Sequence, residues 1–209
     1  MAEPQATQPS RLVLKVGGSL AETDRLQHVL ALIAETKRPV IVVPGGGQFA
    51  GKVRDLQNAL RFDNASAHRL AMLGMHQMAE VYFTLQPRFA PADSLEGIGR
   101  VLATGQLPVW LPLQMSQVDD AIPKDWTITS DGLAARLTER LSSARIVLLK
   151  ACEVDPTATA SQLADEGIVD PVFPQIVARA GLDWRVLGPQ DEAELRGLLG
   201  LELVQKPQF

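Results

Sequence analysis

The chain has 209 residues, a length that allows one sizeable hydrophobic core. Its composition, 46% hydrophobic and 21% charged residues, is typical of a globular protein. Its 20 basic and 24 acidic residues give a net charge of −4, so nothing favours binding to nucleic acid or to an anionic membrane. The single cysteine, Cys152, excludes an internal disulfide and fits a reducing compartment. No segment resembles a secretory signal or a membrane span, so we expect a cytoplasmic protein.

We expect residues 1–10 to form a flexible N-terminal tail and residues 11–209 to form a single domain. The first predicted element is a strand in the segment LVLKVGGSL, residues 12–20, which contains Lys15 and ends in Gly17, Gly18 and Ser19. A lysine within an apolar strand is costly unless an anion balances it, although a lysine at a strand edge can also extend to solvent. The glycines favour the first alternative, because their backbone can approach a phosphate closely.

A helix is predicted next over residues 22–36, followed by a strand at 40–43 that ends in Gly45, Gly46 and Gly47, and then a helix at 48–60. A tight strand-to-helix turn accounts for some of these glycines, and close approach of a ligand would explain the rest. Two glycine loops after neighbouring strands predict a site for two phosphate-bearing groups. The spacing also fits a P-loop as far as Lys52, but Val53 stands where that motif needs a hydroxyl.

The remaining elements alternate in the same way. The pattern predicts further helices at 64–83, 94–104, 130–141, 158–165, 174–180 and 192–199, and strands at 108–113, 145–149 and 184–187. Residues 114–124 are predicted to form a mobile flap. This alternation predicts an α/β fold, a three-layer αβα sandwich around a mainly parallel sheet, with ligands at the carboxyl ends of the strands.

Two charged residues outside the glycine loops are candidates for the site. Asp131 follows Ser130 at the start of a predicted helix, where an N-cap and a first-turn charge would explain both residues. The alternative is that the carboxylate of Asp131 holds active-site lysines in place. Lys150 ends the strand at 145–149 and would face the glycine loops. His68 lies on the helix at 64–83, without the carboxylates or thiols that a metal site requires.

Four segments in this order resemble the amino acid kinase family. They are KVGGS at 15–19, GGG at 45–47, TSD at 129–131 followed by Ala134, and LLKACEVD at 148–155. The resemblance implies an ATP-dependent phosphotransferase that uses Mg²⁺ and forms a homodimer or higher oligomer. It implies catalytic roles for Lys15, Asp131 and Lys150. It further implies nucleotide binding by Lys15, Gly17, Gly18, Ser19, Lys150, Val154 and Asp155, and acceptor binding by Gly45, Gly46 and Gly47.

Within this family the resemblance is greatest to the kinase subgroup of methanofuran biosynthesis. It rests on AHRLAM at 67–72, ITSD at 128–131 and VDPVFP at 169–174. The implied substrate is a small phosphomonoester that carries an amine. Asp63, at the start of the helix at 64–83, is the nearest candidate in the sequence to bind the ammonium group, and His68, one turn further, could line the ring. Ser130 is a further candidate for binding the acceptor. For Asp63 the alternative is a helix cap, and for His68 it is ordinary packing.

The chain also departs from the family pattern. Pro156 stands where the family has glycine, and the only lysine after Lys150 is Lys206, although many members have a catalytic lysine in this region. Lys150 would then take that role, or the reaction would depend more on magnesium. The alternatives are a uridylate, isopentenyl phosphate or acyl-carboxylate kinase, and a nucleotide-binding protein of this fold that has lost turnover.

Overall fold

The structure, a computed structural model, describes residues 11–141 and 144–202. Its strands form one sheet of six, in the order β3-β4-β2-β1-β5-β6, and every neighbouring pair is parallel. The strands are β1 (Arg11–Val16), β2 (Val40–Pro44), β3 (Phe89–Ala92), β4 (Leu107–Trp110), β5 (Ala144–Leu149) and β6 (Trp184–Leu187).

Helices connect the strands and cover both faces of the sheet. They are α1 (Arg25–Glu35), α2 (Gly47–Leu60), α3 (Asn64–Leu85), α4 (Leu95–Ala103), α5 (Leu113–Val118), α6 (Ser130–Leu141), α7 (Ala160–Asp165), α8 (Phe173–Ala180) and α9 (Glu192–Leu199). A 3₁₀ segment, Gly18–Glu22, follows β1 directly. Within residues 11–141 and 144–202, no helix combines the length and the hydropathy needed to cross a membrane.

Strand β1 lies at the centre of the sheet, between β2 and β5. Because side chains alternate between the faces of a strand, Leu12, Leu14 and Val16 pack with α1 and α9, whereas Val13 packs on the opposite face with α6 and α8. The same alternation directs Lys15 to the face that α6 covers. The two buried clusters, one on each face, confirm the predicted three-layer sandwich.

The sequence patterns located most elements, but four details were wrong. The strand predicted at 108–113 is β4, which ends at Trp110, and part of the predicted flap at 114–124 is helix α5. Strand β3 was not predicted, because it has four residues and contains Pro91. The helix predicted from residue 22 begins at Arg25, since Gly18–Glu22 forms the 3₁₀ segment instead.

Candidate active site

The carboxyl ends of β1 and β2 bring the two glycine loops into contact. We call Gly17–Gly18 the first glycine loop and Gly45–Gly47 the second glycine loop. A Cβ atom added to Gly18 would lie 2.2 Å from the backbone nitrogen of Gly47, and one added to Gly45 would lie 2.3 Å from that of Gly18. This contact accounts for glycines that we had attributed to the approach of a ligand. Gly47 also has φ +51°, which other residues rarely adopt.

Replacing Gly18 by alanine is therefore expected to destabilise the protein by about 1–3 kcal/mol, because backbone atoms must move to admit the methyl group. The measurement is urea unfolding together with the affinity for ATP. Gly99→Ala is the matched control, since a Cβ there meets nothing within 4 Å inside α4, and this change should stabilise the protein by about 0.5–1 kcal/mol. Wild-type stability of Gly18→Ala would contradict the packing of the two loops.

Two lysines and one aspartate lie beside these loops and form what we call the Lys–Asp–Lys cluster: Lys15, Asp131 and Lys150. The Nζ of Lys15 is 2.8 Å from Oδ1 of Asp131, and the Nζ of Lys150 donates a 2.6 Å hydrogen bond to Oδ2. Asp131 lies in the first turn of α6, where the helix dipole favours a carboxylate. The structure thus combines both interpretations of Asp131, a first-turn charge and a contact with two lysines.

The cluster is buried, and its charges depend on one another. Lys15 is 5% exposed and Asp131 4% exposed. Burial alone would raise the pKa of Asp131, but the two adjacent ammonium groups outweigh it and hold the pKa below its ordinary value. Burial and the charge of Lys15 lower the pKa of Lys150. Two lysines therefore share the single carboxylate of Asp131, and a second acid, Asp170, lies close enough to act on the charge of Lys150.

Asp170 forms hydrogen bonds with the residues that flank Asp131, a role that was not predicted from the sequence. It accepts hydrogen bonds from the backbone nitrogens of Thr129 and Gly132, each at 2.7 Å, and from Oγ1 of Thr129 at 2.5 Å. These bonds fix the residues on either side of Asp131. Burial and the charge of Asp131 raise the pKa of Asp170. The only signal in the sequence was its place in the VDPVFP segment.

A cavity of about 400 Å³ opens next to the two loops. Its lining includes three glycines of the two loops, Gly18, Gly46 and Gly47, and two serines, Ser19 and Ser130. Its other walls are formed by Glu22, Ala50, Gly51, Arg54, His68, Ala71, Met72, Met75, Trp126, Ile128, Thr129 and Leu133. The ring of Trp126 is fixed by a 2.6 Å hydrogen bond from its Nε1 to Gln57 and by the guanidinium of Arg54, 4.4 Å from the ring centroid.

Several predicted site residues lie away from this cavity. Asp63 caps α3, accepting hydrogen bonds from the nitrogen and Oγ of Ser66 at 2.8 Å each, and it does not line the cavity. This geometry favours the helix-cap alternative. Neither Val154 nor Asp155 lines the cavity. Val154 is buried, and the carboxylate of Asp155 accepts a hydrogen bond from the backbone nitrogen of Thr157. Lys52 is exposed on α2, whereas the lysine of a P-loop would point toward the bound phosphates.

His68 is buried in the cavity wall at 4% exposure, and burial lowers its pKa, which favours the uncharged ring. Its Nε2 has no hydrogen-bond partner among the described residues. Across residues 11–141 and 144–202, no group of three or more His, Cys, Asp and Glu side chains is placed to hold a metal. His68 lines the cavity together with Ala71 and Met72 of α3.

A parallel α/β sheet with lysines beside two glycine loops at its carboxyl edge is an arrangement suited to binding phosphate groups. The chain matches the profile of the amino acid kinase family over residues 10–155, and it belongs to that family. It is 28% identical, over 145 residues, to the [5-(aminomethyl)furan-3-yl]methyl phosphate kinase of Methanocaldococcus jannaschii. That alignment covers 68% of this chain and 66% of the relative, slightly less than two thirds of the relative's length.

Solved structures of low sequence identity share the fold. The uridylate kinase from Archaeoglobus fulgidus superposes with a TM-score of 0.65 at 15% identity, over 91% of this chain and 96% of that one. An isopentenyl phosphate kinase gives 0.59 at 18% identity, over 92% and 98%. Aspartate kinase from Synechocystis gives 0.63 at 14% identity, over 85% of this chain and 37% of that one. The fold is therefore that of the amino acid kinases.

Proposed function

We propose that this kinase transfers the γ-phosphoryl group of ATP to a small phosphomonoester, [5-(aminomethyl)furan-3-yl]methyl phosphate, and forms the diphosphate. The observation that carries the phosphoryl transfer is the Lys–Asp–Lys cluster beside the two glycine loops. The choice of acceptor is supported by the name of the Methanocaldococcus relative and by a compact cavity with an aromatic wall.

The reaction needs positioning and charge more than it needs acid–base chemistry. An oxygen of the acceptor phosphate attacks the γ-phosphorus in line, the bond to the β–γ bridging oxygen breaks, and ADP leaves with that electron pair. The acceptor phosphate is already ionised at neutral pH, so no general base is required. This agrees with a cluster in which Asp131 contacts two lysines and is not free to take a proton.

Each part of the site has a proposed role. The N–H of Gly17 donates to the carbonyl of Leu149, so Lys15 and the amide of Gly18 hold the β- and γ-phosphates, with Ser19 nearby, and Lys150 neutralises charge that develops during transfer. The amides of Gly46 and Gly47 lie at the start of α2, where N–H groups lack partners within the helix, and they hold the acceptor phosphate. Val154 and Asp155 remain proposed nucleotide contacts.

Mg²⁺ would enter this site already bound to the nucleotide. Both carboxylate oxygens of Asp131 face lysines, so Mg²⁺ would be held chiefly by phosphate oxygens, as is common for this ion. When bound, it would neutralise charge on the transferring group. Lys150 would supply the second cation that many relatives take from a later part of the chain. Lys206 lies outside the described residues.

The cavity walls suit a small flat ring. Met72, Met75, Ile128 and Leu133 supply apolar surface, and the fixed indole of Trp126 offers an aromatic face. Methionine side chains pack favourably against aromatic edges. A furan with two one-carbon arms would fit between these groups, with its phosphate at the glycine end.

Steady-state kinetics with a panel of acceptors tests this proposal. Aminomethylfuran methyl phosphate is expected to exceed uridine monophosphate and isopentenyl phosphate in kcat/KM by at least ~100-fold, about 3 kcal/mol of transition-state discrimination. The enzyme, ATP and Mg²⁺ are the same in every reaction, so only the acceptor varies. A higher kcat/KM for either competitor would overturn the acceptor and leave phosphoryl transfer intact. Loss of turnover with every acceptor would favour a non-catalytic nucleotide-binding protein.

The homo-oligomer expected from the family remains a prediction. Large apolar side chains are exposed along α2 and α3, which is compatible with an association surface. They are Phe49, Leu56, Leu60, Leu70, Leu73 and Val81.

A further inference from the structure

We infer that Glu22 is the residue that recognises the ammonium group of the acceptor. This inference rests on the proposed function and names the specificity residue of the same site. An amine-bearing substrate that enters a cavity needs an anionic or carbonyl partner for its ammonium, because an unpaired charge is costly to desolvate. We had expected Asp63 to fill this role.

Glu22 differs from the other residues that line the cavity in its negative charge. It is the only acidic side chain among the described residues that form the walls. Glu22 is exposed, and no hydrogen bond or ion pair joins its carboxylate to another residue in the described part of the chain, so its lone pairs are open to water or to a ligand. Asp63 differs in both respects, since its carboxylate oxygens are bonded to Ser66 and it lies outside the walls.

The position of Glu22 along the chain matches a ligand with two charged ends. Glu22 is the last residue of the 3₁₀ segment that begins at Gly18 in the first glycine loop. Four residue steps of such a helix rise about 8 Å, the scale of a five-membered ring with two short arms. Gly18 touches Gly47, so the acceptor phosphate that we propose at the amides of Gly46 and Gly47 would lie next to the start of this segment, with Glu22 at its other end.

The basic groups in and near the cavity are not suited to bind an ammonium group. Arg54, the only Lys or Arg side chain among the lining residues, is held over the ring of Trp126 and would attract a phosphate and repel an ammonium group. Lys15 and Lys150 lie behind the glycine loops with Asp131. Burial lowers the pKa of His68 and so favours its uncharged form. An ammonium group would thus meet one attractive side chain among the described walls.

The experiment compares two acceptors that differ only in this group: aminomethylfuran methyl phosphate and an analogue in which a hydroxyl replaces the amine. Wild-type enzyme is expected to prefer the amine by at least ~10-fold in kcat/KM. Glu22→Gln keeps the shape and removes the charge, and it should lower kcat/KM for the amine about 10-fold or more while changing the hydroxyl analogue less than about 2-fold. The loss should appear mainly in KM, because the contact exists before and during transfer.

Asp24→Asn is the matched control. Asp24 is an exposed acid two residues from Glu22, but it does not line the cavity. This change should leave the preference for the amine unchanged. Equal losses of Glu22→Gln on both acceptors, or no loss on either, would overturn the assignment of Glu22 while the proposed function stands. If wild-type enzyme phosphorylates neither furan compound but accepts another phosphomonoester, the proposed function fails, and the ammonium assignment fails with it.

Discussion

Replacing Lys15 by methionine is expected to lower kcat by about 10²–10³-fold, because this removes a cation directed at the charge that develops during transfer. Methionine keeps most of the side-chain volume, so the central strand should still pack. Asp131 keeps its hydrogen bond from Lys150, which limits the loss of stability. The measurements are kcat, the KM for ATP and the melting temperature, all made on one preparation.

Lys52→Met provides the comparison for Lys15→Met. Lys52 follows the second glycine loop at P-loop spacing but is exposed, and its Nζ is 3.8 Å from a carboxylate oxygen of Asp55. Its replacement should leave kcat within about 2-fold of wild type, as expected for an exposed residue away from the cluster. If Lys15→Met keeps wild-type kcat and melts normally, Lys15 has no catalytic role.

The change from Asp131 to asparagine should lower both activity and stability. It leaves Lys15 and Lys150 buried with no carboxylate between them, and breaking a buried ion pair costs about 3–5 kcal/mol. The loss of stability follows from the burial of the cluster, in which Lys15 is 5% exposed and Asp131 4% exposed. We expect kcat to fall at least ~100-fold, because both ammonium groups lose their orientation.

The dependence of stability on pH tests the charge of Asp131 directly. The folded protein holds the pKa of this carboxyl below its ordinary value, so its stabilising effect is present above the unfolded pKa of about 4 and is lost as the pH falls through the folded pKa. The difference in unfolding free energy between wild type and Asp131→Asn should therefore shrink on acidification below about pH 4. A difference that stays constant would exclude the charge as its cause.

Asp119→Asn separates loss of stability from loss of catalysis. Asp119 is also a buried acid, 7% exposed, and it pairs with Arg136 and Arg140 away from the cavity. Its replacement should destabilise the protein but leave kcat near wild type at a temperature where the enzyme is folded. If both variants lose kcat equally, the effect of Asp131→Asn is a general consequence of instability.

The central part of the fold could be predicted from the sequence because its signals are local. The apolar runs of β1, β2 and β5, each followed by glycine or lysine, located three strand ends and thus one edge of the sheet. Parallel pairing then predicted that Lys150 faces the glycine loops. The assignment of Asp131 needed the family resemblance, since its position at a helix start has a sufficient explanation in the helix dipole.

The rest depends on contacts between distant parts of the chain. The hydrogen bonds that Asp170 accepts join residues about 40 positions apart, and the two glycine loops touch through backbone atoms, which have no side-chain signature. Glu22 was predicted to begin a helix, and its place in the cavity follows from the 3₁₀ segment that ends there. Local periodicity contains no information about any of these contacts.

The contact between the two glycine loops has a consequence for how acceptors can change within this fold. No side chain separates Gly18 from Gly45 and Gly47, so the main chain alone sets the spacing of the loops and, with it, the proposed distance between donor and acceptor phosphates. The cavity walls, in contrast, are side chains of α2, α3 and the segment around Trp126. Substitutions in those walls can exchange one acceptor for another without altering the distance over which the phosphoryl group moves.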